Sequence, residues 1–307
     1  MAQVAHLKLF ERGVFMPEHP SIIPFLESED YRTISDIVQA FAQQLRENGD
    51  FLSILHANKL MEYHEMITDS GFLTKIKDHF DQIYLICKEL GILFSIDGRR
   101  KALESLNSKI ILHLKKNASL DLIRDIFAFR IVIFDAADSI LSIAKCYEAM
   151  QKIILYLSSQ GFIPCESIIT EEQKKFNAEE YPNIIVPTEN LLNIQFADYV
   201  KDYICSPKSN GYQSLHASFR DSQTGRFFEV QIRLASMHIW AEHYAADHTN
   251  YKKKKYSSVS EAWDLSKIHV DGFYYIPPRD EFPETYEDFI GLIDHLIIFS
   301  RRHSFDS

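Results

Sequence analysis

Two runs of residues near the middle of the chain carry the side chains from which phosphate chemistry is built. In the first, Ser214, His216 and Ser218 alternate with Leu215, Ala217 and Phe219. In the second, Glu229, Gln231 and Arg233 alternate with Phe228, Val230 and Ile232. Turn formers from Asp221 to Gly225 join them, so the pair reads as a β-hairpin with one wholly polar face. Such a face is ordinarily just solvated, but this one combines carboxylate, amide, imidazole and guanidinium. That set offers a base or metal ligand, hydrogen-bond readers and an anion clamp. His216 and Glu229 share the face only if even-numbered residues pair with odd-numbered ones, which requires an even number of residues in a regular loop. Ahead of the hairpin stand Lys201-Asp202-Tyr203-Ile204 and Pro207-Lys208-Ser209-Asn210-Gly211-Tyr212-Gln213. They set the ring of Tyr212 beside a glycine turn, either to stack on a nucleobase or to pack in the ordinary way.

Upstream, Asp125 precedes Ile126 to Phe134, a strand-like run interrupted by one charge, Arg130. Arginine cannot shed its proton, so Arg130 needs an anionic partner or an opening to a ligand; Asp125 is that partner, or a ligand to a divalent metal beside a phosphate. Asp97-Gly98 is a turn signal, after which Arg99-Arg100-Lys101 is expected to open a helix. Three positive charges there oppose the helix dipole unless an anion sits among them. Lys101, Ser105 and Lys109 follow one side at four-residue spacing, and Leu103, Leu106, Ile110 and Leu114 the buried side. The stripe reads as a polyphosphate cradle or as a solvated basic face partnered by Glu104.

The elements that must position these groups are legible in outline. Ile34, Ile37, Val38, Phe41 and Leu45 predict a helix ending at Asn48-Gly49. Phe72, Ile76, Phe80, Ile83, Cys87 and Leu90 predict another after Asp69-Ser70-Gly71, with a less regular helical stretch between. The first 95 residues are thus expected to be all-helical, with His56, His64 and His79 structural or at the surface. A helix from about Ser236 through Trp240 to Lys252–Lys255 and a last one carrying Phe289, Ile293, Leu296 and Ile297 follow the hairpin. Glu166 to Ala197 is longer than a simple connection and reads as an insertion. The expected fold class is α+β, strands and a hairpin among helices, with a helical region over 1–95, a chemical domain over 96–256 and a C-terminal extension over 257–307.

At 307 residues there is room for roughly two domains of about 150. Thirty-three Lys and Arg against 43 Asp and Glu leave a net charge of −10, which argues against binding long nucleic acid through overall charge. Cys87, Cys146, Cys165 and Cys205 form no C-x-x-C pair, so no zinc ribbon or redox motif is written. With no signal-peptide pattern and no run of about 18 apolar residues, a cytoplasmic protein with no membrane segment is expected.

Taken in order, these motifs resemble the synthetase domain of the RelA/SpoT alarmone synthetases. The resemblance rests on Gly98-Arg99 with Lys101, Ser105 and Lys109; Asp125 with Arg130; Lys201 to Ile204; Pro207 to His216; Glu229 to Arg233; and Met237-His238 with Ala241-Glu242. It implies a nucleotidyltransferase-like mixed sheet and Mg²⁺-dependent transfer of the β,γ-diphosphate of ATP to a ribose 3′-hydroxyl. Carried over residue by residue, Arg99 and Arg130 would sandwich adenine, and Lys101, Ser105 and Lys109 would hold the ATP phosphates. Asp125 and Glu229 would hold Mg²⁺, with Glu229 also the base, and Tyr212 would stack on the acceptor base. Lys208, Asn210, Gln213, His216 and Gln231 would line the acceptor pocket. The chain shows neither the His-Asp hydrolase motif nor the regulatory regions of the long family members and resembles a small, synthesis-only one.

The implied acceptor is GDP or GTP. The alternative is a toxic relative, one half of a toxin–antitoxin pair with an antitoxin protein as partner, that modifies the tRNA 3′-CCA end or makes adenosine alarmones. The basic clusters Arg99–Lys101 and Lys252–Lys255 would then hold the acceptor stem. A non-catalytic nucleotide-binding regulator is disfavoured by intact Asp125 and Glu229. The last helix is expected to pack on the core, bridge the subunits of a homo-oligomer or cover the site.

Overall fold

Thr33 and Asp69 start the helices that the sequence marks best. Thr33 accepts from the Asp36 amide while Asp36 accepts from the Thr33 amide, a capping box, and Asp69 accepts from the Phe72 amide. The computed structural model describes residues 22–26, 28, 30, 33–101, 103–134, 139–167, 176–179, 181, 184–187, 191–241 and 269–271. In chain order these form α1 (Ile23–Leu26), α2 (Ile34–Glu47), α3 (Phe51–Thr68), α4 (Ser70–Glu89), β1 (Leu93–Arg100), α5 (Leu103–Lys115) and β2 (Phe127–Phe134). There follow α6 (Ser139–Ser159), β3 (Phe162–Pro164), β4 (Val200–Asp202), β5 (Leu215–Asp221), β6 (Phe227–Leu234), α7 (Ala235–Ile239) and β7 (His269–Asp271).

By contacts the chain divides into two units, Met1–Thr68 with Leu103–Leu120, and Asp69–Ala102 with Asp121–Ser307. The described residues of the first are helical. Val38, Phe41, Ala42 and Leu45 of α2 and Leu103, Leu106, Ile110 and Leu114 of α5 are buried, as their spacing predicts. His56 is buried edge-on to Phe41, and His64 bonds Ser35, both structural roles.

The second unit is built on a sheet of order β3-β5-β6-β2-β1-β7, with β4 also pairing β5. Every pairing is antiparallel except β2 with β6. The sheet is therefore mixed, as expected. Its apolar face is rich in rings: Phe129 and Phe162 each contact Phe228, Phe219 stacks on Phe228, and α4 supplies Phe72 against Phe127 and Phe80 against Phe129. The stripe Phe72, Ile76, Phe80, Ile83, Cys87 is buried throughout.

Two expectations are overturned here, the first being that residues 1–95 are all-helical, since β1 already begins at Leu93. Second, Arg99-Arg100-Lys101 does not open a helix, because Leu93–Arg100 is a strand paired residue for residue with Phe127–Phe134, and α5 begins only at Leu103. Asp97 and Gly98 lie mid-ladder, opposite Arg130 and Phe129, and the Lys101 amide extends the pairing to the Ile126 carbonyl at 2.8 Å. A two-residue turn signal loses to an eight-residue ladder whose other strand is fully buried. The three charges therefore oppose no helix dipole. The last predicted helix, around Phe289 to Ile297, and the run Lys252–Lys255 lie outside the described residues. No described helix is long and apolar enough to cross a membrane.

Candidate active site

The hairpin forms in the register that the chemistry requires. His216 pairs with Gln231 and Ser218 with Glu229, even with odd, and the Asp221 amide bonds the Arg226 carbonyl at 2.8 Å around the even loop 222–225. Because β2 lies parallel beside β6, Arg130 falls opposite Gln231, while on the far side Lys201 of β4 falls opposite His216. One rung of the sheet thus reads Arg130, Gln231, His216, Lys201 across four strands. This polar face is not a solvated one: Glu229 is 5% exposed, Arg130 8% and Arg233 1%.

Within it the groups are tightly connected. Gln231 Nε2 donates to Glu229 Oε1 at 2.6 Å, and His216 Nδ1 lies 3.2 Å from the same oxygen. The other imidazole nitrogen, Nε2, is 2.9 Å from the Tyr212 hydroxyl. Lys208 Nζ sits 4.5 Å from the ring of Tyr203 and 4.7 Å from that of Tyr212, and the Arg233 guanidinium is 5.7 Å from Tyr212. Arg233 also bonds His238 at 2.6 Å. At the strand end Lys101 Nζ pairs with Asp125 Oδ2 at 2.7 Å.

Burial pushes the Glu229 carboxyl up, as does the neighbouring Asp125 charge, but His216 and the Gln231 amide outweigh them and hold it below the ordinary glutamate value. Burial lowers His216 despite Glu229, and burial raises Tyr212 against the pull of Arg233 and Arg130. The result is a sequestered carboxylate kept deprotonated among cations, a group able to take a proton from a hydroxyl while Lys and Arg receive phosphate oxygens.

Among the described residues no three His, Cys, Asp or Glu side chains gather as a metal cluster. The donor set nevertheless suits Mg²⁺. Asp125 and Glu229 are hard oxygen donors near enough to feel each other's charge, and Mg²⁺ is commonly held by one or two carboxylates with phosphate oxygens and water completing its shell.

The structure thus brings together Asp125 with Lys101, and Arg130, Lys208, Tyr212, His216, Glu229 and Gln231. Asn210 stands beside them, its side-chain oxygen accepting from the Tyr212 amide at 3.3 Å and so shaping the turn that carries that ring. Gln213 is buried, donating to the carbonyls of Ile185 and Ile204 at 2.9 and 3.0 Å, and so braces the turn. Arg99 is a β1 residue opposite Ala128. Ser105, exposed, and Lys109, half-buried, belong to α5 in the helical unit; they share a helix with each other but not with Lys101.

Two residues join the cluster beyond those assigned to ATP or acceptor: Arg233, already read as the guanidinium of the polar face, and Tyr203, which the sequence reading did not place there. Arg233 has a plain signal, since it follows Glu229 and Gln231 at the same two-residue period. Tyr203 has a weaker one: it lies next to a strand, and its amide carries the β4–β5 ladder one step further to the Ser214 carbonyl, at 3.0 Å.

A mixed-sheet α+β unit with a buried, cation-lined carboxylate has the chemistry to receive phosphate groups beside a base. Residues 168–256 match the family described as the region found in RelA / SpoT proteins. It is 31% identical over 207 residues to the probable GTP diphosphokinase RSH2, chloroplastic, of Arabidopsis thaliana, a match covering 66% of this chain and 22% of that protein. It is 30% identical over 174 residues to the bifunctional (p)ppGpp synthase/hydrolase SpoT of Escherichia coli, covering 56% and 18%. The chain therefore spans about a fifth of the length of these curated relatives. Among solved structures, small alarmone synthetase 1 from Bacillus subtilis bound to its product pppGpp covers 80% of this chain and 91% of its own. It does so at 15% identity and a TM-score of 0.36, too distant to bear on the site.

Proposed function

We propose that this protein is a pyrophosphotransferase that moves the β,γ-diphosphate of ATP to the 3′-hydroxyl of GDP or GTP, with residues 96–256 as its synthetase domain. The observation that carries the reading is Glu229: buried, held deprotonated by His216 and Gln231, and set among Arg130, Lys208 and Arg233 on the face that also feels Asp125. Glu229 takes the proton of the acceptor hydroxyl; the new bond joins the 3′-oxygen to the β-phosphorus, the α–β bridge breaks, and AMP leaves with the bridging oxygen. Mg²⁺ held by Asp125 and Glu229 would neutralise charge on the phosphate oxygens. Lys101 and Arg130 serve the ATP side, together with Arg99. Tyr212 offers its ring to the acceptor base once Lys208 swings from that ring to the acceptor phosphates. Positioning and charge neutralisation supply most of the rate for such an in-line displacement.

The test is an assay with γ-labelled ATP and Mg²⁺, offering GDP, GTP, adenosine nucleotides and deacylated tRNA side by side, with Asp125→Ala as control. Label in a guanosine tetra- or pentaphosphate is the expected result. Label on tRNA or on an adenosine nucleotide alone would replace the acceptor assigned here, and no transfer to any acceptor would overturn the activity.

A further inference from the structure

Asp202 lies on the wrong side of the sheet to touch any substrate. It pairs with Leu215 and so falls on the apolar face, whereas its neighbours Lys201 and Tyr203 fall on the polar one. A carboxylate placed there needs partners, and it has three. Oδ1 accepts from the amides of Ile204 and Cys205 at 3.0 and 2.9 Å, and Oδ2 accepts from the hydroxyl of Tyr147 at 2.8 Å. Tyr147, 1% exposed, belongs to α6, and its hydroxyl also lies 3.2 Å from the Cys205 thiol. The turn 202–205 is thereby fastened to a helix on the opposite side of the sheet from the chemistry.

We propose that Tyr147 and Asp202 form a positioning pair for the acceptor side of the site, an inference that rests on the pyrophosphotransferase reading. The fastened turn sets Tyr203, whose ring stands edge-on to His216 at 5.3 Å, 6.2 Å from Tyr212 and 4.5 Å beneath Lys208. These are the groups assigned to the acceptor. The ATP-side groups Lys101 and Arg130 arise from the end of β1 and from β2 and do not depend on this turn. Loosening the pair should therefore move the acceptor wall and leave the ATP side in place.

The same helix supplies a control. Tyr156 donates or accepts a comparable bond, 2.9 Å to His79 Nδ1, with no link to the 202–205 turn. In steady-state kinetics with both substrates varied, Tyr147→Phe should raise the acceptor KM about tenfold, the worth of one hydrogen bond to a charged group, with kcat and the KM for ATP within about twofold. Asp202→Asn keeps an oxygen for the two amides and alters the atom that faces Tyr147, and should reproduce that split. Tyr156→Phe should lower the thermal midpoint while leaving both KM values unchanged. An unchanged acceptor KM in Tyr147→Phe, an equal rise in both KM values, or the same split in Tyr156→Phe would each overturn the inference. Absence of turnover in the unaltered protein would instead overturn the activity itself.

Discussion

The base role proposed for Glu229 makes two demands that usually conflict: a base should be sequestered from water, yet sequestration favours its protonated form. His216 and Gln231 resolve the conflict by bonding the ionised carboxylate. Glu229→Gln should therefore lower kcat by about 10²–10⁴ while nucleotide binding, followed by calorimetry, persists. The pH dependence has a definite sign. With its pKa held below the ordinary 4.5, Glu229 stays ionised at neutral pH, and activity fails only as pH drops through that depressed value. Removing the imidazole leaves burial and Asp125, which both push the carboxyl up. The acid limb of kcat/KM in His216→Asn should therefore move to higher pH than in the unaltered protein. At this scale much was legible in the sequence, because a two-residue period puts Glu229, Gln231 and Arg233 on one face, and an even hairpin loop adds His216. Tyr147 was not legible: it lies 55 residues from its partner Asp202, in a helix whose pattern marks it only as core.

The elements are held by polar devices at their ends. Asp221, fully buried at the end of β5, accepts from Lys75 of α4 at 2.8 Å, from the Thr224 hydroxyl at 2.8 Å and from the Gln223 amide at 3.1 Å. Burial alone would raise its pKa, but these partners pull it below 3.8. Asp221→Ala should cost about 3 kcal/mol at pH 7 by denaturant melts. A carboxylate of depressed pKa contributes its stability above the unfolded value and loses it as pH falls through the folded one. The gap between the two proteins should therefore narrow below about pH 3.8. Gly211, at φ +76°, sits under Trp240, whose indole nitrogen would lie 2.9 Å from an added Cβ. Gly211→Ala should cost about 1–2 kcal/mol for the left-handed backbone alone, and should weaken acceptor binding by shifting the turn that carries Tyr212. The start of β1 shows where sequence reading stops at this scale. Asp97-Gly98 is a turn in isolation, and only a strand some 30 residues later makes it part of a ladder.

For the molecule as a whole, the charge of −10 coexists with a site where Lys101, Arg130, Lys208 and Arg233 outnumber Asp125 and Glu229. Such local positive charge raises the concentration of anions at the site although the chain as a whole repels them. A non-hydrolysable ATP analogue at a hundred times its Kd should add about 2.7 kcal/mol and raise the thermal midpoint by about 4 °C, an effect that Arg130→Ala should abolish. The mixed sheet was expected as a class from the family resemblance, but its strand order was not, because the one parallel pairing among the described strands joins β2 to β6. That pairing sets Ala128 opposite Glu229, about 100 residues further along the chain. Loops of that span close slowly, and nothing local rewards the chain until they do. Arg130 and Glu229 therefore meet only once β6 has been synthesised and has docked at the centre of the sheet. A nascent chain that has not yet released β6 holds the parts of the candidate site without the site, so the proposed transfer of diphosphate can begin only after that strand has docked.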